Sequence, residues 1–204
     1  MRSTFILRSV TLLSLVAASC SKSEQAAPGA SQGNEAAPSS VGTTMPKPTD
    51  AQILGILATV DNGEIQQAQV ARNRASDPRV KDFANHMIEQ HTNAKQKASE
   101  FASQNNLTPE RSTIAEQLDK KGKEVGDALM HATAAAFDTT YIKDQVQQHQ
   151  EVLDLMREQL APAASGNLKA QLPAIQSMVQ SHLETAREIL PTLGATGKQP
   201  STAE

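Results

Sequence analysis

Four titratable side chains stand where the chain should be apolar. Four helical segments each repeat an apolar residue at alternating steps of three and four, and each series is broken by an acid or an imidazole. The first runs Ile53, Leu57, Val60, Glu64, Ala68, Ala71 and the second Val80, Ala84, Met87, His91, Ala94, Ala98, Phe101. The third runs Asp138, Ile142, Val146, His149, Leu153, Met156, Leu160 and the fourth Leu168, Leu172, Ile175, Val179, His182, Ala186, Ile189. Such spacing predicts left-handed packing with the stripes turned inward, so Glu64, His91, His149 and His182 are expected to face one core. One carboxylate and three imidazoles suit Zn, Cu or Fe. The same groups can instead hydrogen-bond one another and fix the helix register.

Residue counts from the turns test whether these positions meet. At ~1.5 Å per residue, Glu64 and His91 differ in height by only about 4 to 5 Å across a turn at Ser76. His149 and His182, counted from a turn centred on Pro162, differ by about 7 Å, which calls for a tilt or a longer loop. Met87 and Met178 each precede a histidine by one helical turn, a thioether placement copper accepts, although core filling is the commoner role. A ferritin-type di-iron centre needs Glu-x-x-His on two helices, and this sequence has none. His86 lies about 140° around the helix from His91, so those two cannot share an ion, and His86 and His131 are expected to face solvent. No glycine-rich phosphate loop, nucleophile elbow or Cys–His pair is present, which leaves enzyme status undecided.

The elements that position these residues are marked by punctuation. Pro48-Thr49-Asp50 starts a helix of about 50 to 75, and Asp77-Pro78 starts one of about 78 to 104. After Asn105 to Pro109 a shorter polar helix covers about 111 to 130, and a third long helix covers about 134 to 160. Ala161-Pro162 through Gly166 is expected as the turn, with helix four from about Asn167 to Leu190, closed by Pro191 and bent early by Pro173. The fold class is therefore all-α, a four-helix bundle with one extra short helix. With 38% hydrophobic and 2% aromatic residues, little material is left for a β-sheet core.

A net charge of -3 and a single Tyr exclude the basic, aromatic surface a nucleic-acid partner requires. The one cysteine, Cys20, follows a basic start at Arg2 and Arg8, an apolar run Val10 to Val16 and the small residues Ala17-Ala18-Ser19. That order is a signal peptide, and Val16 to Cys20 resembles a lipobox, whose cysteine is lipidated and becomes the mature N-terminus. The expected organisation is a signal peptide at 1–19, Cys20 with a disordered tether at 20–49, the bundle at 50–190 and a flexible tail at 191–204. Ser21 after the cysteine resembles outer-membrane sorting. The expected partner is thus the membrane, through the lipid anchor, with the bundle facing the periplasm as a monomer or weak homo-oligomer and the protein partner left open.

Glu64, Phe83-Ala84 with Met87 and His91, Phe137-Asp138 with Tyr141 and His149, and His182 together resemble a ferritin-like bacterial family of unknown function found among outer-membrane proteins. The resemblance covers about Asp50 to Leu190 and implies a ferritin-like four-helix fold and an envelope location, with no established reaction. In that family an acid commonly precedes the helix-two histidine, whereas Gln90 stands here. Three readings follow. The inward set is structural, or it binds a divalent metal with Met87, Asp138 and Tyr141 in support, or function lies on a glutamine-rich surface of Gln66, Gln67, Gln69, Gln145, Gln147, Gln148 and Gln150 that docks a partner. The structural reading is the simplest of the three.

Overall fold

A computed structural model describes residues 47–193. The expected signal peptide, Cys20, nearly all of the expected tether and the expected tail beyond Leu193 lie outside the described residues. The described chain is all-helical: α1 Asp50–Arg74, α2 Pro78–Gln104, α3 Thr113–His131, α4 Ala134–Leu155, α5 Ala161–Ala163 and α6 Gly166–Ile189. A π turn, Met156–Leu160, joins α4 to α5, and a 3-10 turn, Leu190–Thr192, follows α6.

The helix starts are set by side chains that satisfy otherwise orphaned backbone donors. Thr49 and Gln52 form a reciprocal capping box at α1, Thr49 Oγ1 accepting from the Gln52 N–H at 3.2 Å and Gln52 Oε1 from the Thr49 N–H at 3.1 Å. Asp77 caps α2 ahead of Pro78, and Ser112 caps α3. At the end of α2, Asn106 takes the left-handed φ of 53°. The Leu107 N–H then reaches the Ala102 carbonyl and the Asn106 N–H the Ser103 carbonyl, closing the helix as a Schellman motif.

The α2–α3 loop then crosses α1 closely. The Glu110 N–H donates to the Ala51 carbonyl at 2.9 Å, and a Cβ on Gly55 would meet the Glu110 carbonyl oxygen at 1.9 Å, so only glycine fits there. α1 packs most extensively on α2 and α3, and α4 on α6, while the α2–α6 seam is thin.

The end of the third long helix differs from expectation. The helical path continues through Pro162 to Ala163, and the turn falls at Ala164-Ser165. Pro162 offers no N–H to the Glu158 carbonyl, and the helix widens into the π turn directly before it. With the turn moved, His149 and His182 differ by about two residues in height, ~3 Å, which removes most of the mismatch. Two of the turns between helices are tied by aspartates. Asp50 accepts from the Ser165 N–H and hydroxyl, and Asp138 accepts from the Ser76 and Asp77 N–H groups, the latter at 2.8 Å.

Two apolar clusters fill the interior. One gathers Ile53 to Leu57, Val152 to Leu160 and Leu168 to Leu183, and the other gathers Ala68 to Ala75, Val80 to Met87, Leu129, Phe137 to Ile142 and Ala186 to Ile189. Asp61, Glu64, Gln67, His91, Gln145, His149 and His182 are buried between these stretches of sequence, as a polar layer across α1, α2, α4 and α6.

Candidate metal centre

Three histidines meet in that layer. His91 from α2, His149 from α4 and His182 from α6 are 1 to 2% exposed. Their ring centroids lie 6.1 Å apart for His91–His149, 5.2 Å for His91–His182 and 5.3 Å for His149–His182. One nitrogen from each ring lies within 4.8 Å of the others.

Two of the three rings are held from behind. His91 Nδ1 sits 2.8 Å from Asp61 Oδ1, and His149 Nδ1 sits 2.9 Å from the Gln145 carbonyl. A carbonyl or carboxylate only accepts, so in each case Nδ1 carries a hydrogen, and in the neutral ring Nε2 keeps its lone pair. Both Nε2 atoms are buried without a partner, as are both nitrogens of His182. An acceptor behind the ring with a bare nitrogen in front is how metal-binding histidines are oriented.

Burial favours the neutral form of His149 and His182. Burial pushes His182 down to about 3, reinforced by His149, His91 and His86. Burial likewise lowers His149, with Glu64 opposing and His91 adding to the shift. Neutral imidazoles are the form that binds cations.

The other expected residues take different places. Glu64 is buried, but its Oε2 accepts from Gln145 Nε2 at 2.9 Å, and it is not part of the group of mutually close donor atoms. Tyr141 is buried edge-on to Phe83, and its hydroxyl has no partner; burial, then the Glu64 charge, raises the phenol well above its ordinary range. Met87 belongs to the apolar cluster beside the layer. Asp138 is not among the buried polar residues and acts at the α1–α2 turn, so its support is to the fold rather than to the histidines. His86 and His131 are exposed, as expected, but the His86 ring is 5.6 Å from that of His182.

Three residues of the layer had been read differently or overlooked. Gln67 and Gln145, placed on a surface patch by the sequence, are 2% and 0% exposed, so the glutamine-rich docking face loses both. Gln145 Nε2 reaches Gln67 Oε1 at 3.3 Å, and Gln67 and Gln148 exchange two hydrogen bonds at 2.9 and 3.1 Å. Asp61 was absent from the counted stripe. The stripe Leu54, Leu57, Asp61, Glu64, Ala68, Ala71 also alternates three and four and contains it, so a second register on α1 was the available signal.

An all-helical protein with a histidine cluster buried between three helices is the class these observations define. The chain belongs to the family described as a domain of unknown function (DUF4142), which matches residues 35–189. Searches of curated proteins and of solved structures found no match. Among the described residues no helix is long and apolar enough to cross a membrane.

Proposed function

We propose that this chain is a cell-envelope lipoprotein whose ferritin-like four-helix bundle holds one divalent transition ion, Zn2+ or Cu2+, on His91, His149 and His182. The observation that carries this reading is the convergence of three buried imidazoles whose facing nitrogens have no hydrogen-bond partner. A register lock alone would leave those nitrogens desolvated for nothing, at ~1–3 kcal/mol for each unsatisfied group. An all-imidazole donor set, with Glu64 engaged elsewhere, suits zinc or copper better than a carboxylate-rich iron centre. Three protein ligands leave a fourth tetrahedral position open.

The structural reading is favoured for the other part of the layer, where Glu64, Gln145, Gln67 and Gln148 hydrogen-bond one another. The envelope location is supported by the sequence Val16 to Cys20. Cys20→Ala should leave the chain unprocessed or release it from the membrane fraction; normal cleavage with retention there would end the lipoprotein reading.

The test of the metal site is a calorimetric titration of the untagged full chain with Zn2+ and Cu2+, beside elemental analysis. One equivalent should bind, and His149→Ala should abolish it. Failure of the unaltered chain to bind either ion would return the whole layer to a structural role.

A further inference from the structure

The three facing nitrogens are sealed. Apolar residues of the two clusters flank the layer, and α1 closes it with Asp61 and Glu64. A hydrated ion reaches such a site only by exchanging water for protein donors on the way in. The α2–α6 seam is thinly packed, and an exposed imidazole from α2 reaches the cluster there: the ring of His86 meets that of His182 edge-on at 5.6 Å and 86°.

His182 differs from its two companions in a way that matches this position. Asp61 holds His91 and the Gln145 carbonyl holds His149, whereas neither nitrogen of His182 is tied. Two rings are tied by hydrogen bonds and one is not, and the untied one is the neighbour of the exposed histidine. Resting on the metal reading above, we infer that His86 is the entry ligand of the site: it captures the ion at the surface and passes it to His182, which delivers it to His91 and His149. The transfer is a ligand exchange in which the bond from the ion to His86 breaks as the bond to His182 forms. No electron moves. His86 is five residues from His91 on the same helix, too far around it to join the resting site.

A relay lowers the barrier in both directions and leaves the end states alone. His86→Ala should therefore slow Zn2+ uptake and Zn2+ release by the same factor, about ten-fold, with an unchanged Kd. Uptake is followed by stopped-flow transfer of Zn2+ from a chromophoric chelator to the full chain, and release by transfer back to excess chelator. His131→Ala, which removes another exposed histidine, should change neither rate. Wild-type rates in His86→Ala would overturn the inference while leaving the site intact. Faster release with a weakened Kd would also overturn it, by making His86 a resident ligand. A wild-type chain that takes up no zinc would instead sink the metal reading itself.

Discussion

One polar layer contains two unlike halves. On the glutamine side, Glu64, Gln67, Gln145 and Gln148 join one another through four hydrogen bonds between side chains, and one buried atom, Gln145 Oε1, is left without a partner. On the histidine side, the hydrogen bonds lie behind the rings, and four ring nitrogens are left without partners. Burial is the same for both, the half-buried Gln148 apart. What separates them is whether the polar atoms answer each other or wait for something else, and this divides a register device from a binding site more sharply than burial or residue type.

The comparison can be broken first by metal. An ion that binds only the native state at 1,000 times its Kd stabilises it by about 4 kcal/mol, so saturating Zn2+ should raise the melting temperature, and His91→Ala, His149→Ala and His182→Ala should each remove the rise. A rise that persists in all three variants would place the ion elsewhere.

Acid gives the next effect. His149 and His182 have folded values below the ordinary 6.5, so protons favour the unfolded chain. Their contribution is intact above about 6.5 and is lost as the pH falls toward about 3. Helical ellipticity of the metal-free chain should fall within that window, and bound Zn2+ should move the fall to lower pH. A pH-independent melt from 7 to 4 would contradict the burial of neutral rings.

A smaller effect separates Asp61 from the ligands. Asp61→Asn should weaken Zn2+ binding by about 10- to 100-fold without abolishing it, because the residue only orients His91. Unchanged affinity in a titration would remove Asp61 from the site. The smallest effect belongs to the glutamine half: Gln67→Ala should cost about 1 kcal/mol in chemical denaturation, equally with and without metal, since half-buried Gln148 can turn to water. A metal-dependent cost would mean the halves are not separate.

Most of the fold was legible because its signals are local. Thr49, Asp77 and the Asn105–Pro109 break mark helix ends through capping and φ preferences that act within a few residues. The histidines were legible through a single apolar stripe per helix. That rule failed on α1, which is packed by α2 on one flank and α3 on another and so buries a face wider than one stripe, taking in Asp61 and Gln67. Gln145 was missed for a different reason. A glutamine looks solvated in sequence, and only the partners brought in by α1 make its burial affordable in hydrogen bonds. The turn after α4 was misplaced because a proline reads as a stop, while a π turn lets the helix run past it.

At the end of α1, the Arg74 guanidinium donates to the carbonyls of Leu129, Met130 at 2.8 Å and Ala132 at 2.7 Å, and lies 4.8 Å over the Phe137 ring. Three carbonyls at the end of α3 thus accept from one side chain elsewhere in the sequence, and only that of Leu129 has a backbone donor, the Ala132 N–H, from beyond the helix. A lysine has the charge but neither the fork nor the flat face. The hinge between α3 and α4 is accordingly a latch with a single bolt. In Arg74→Lys the segment from Met130 to Ala134 should become the first place a protease nicks the bundle, splitting the chain into an α1–α3 fragment and an α4–α6 fragment that stay associated until denatured.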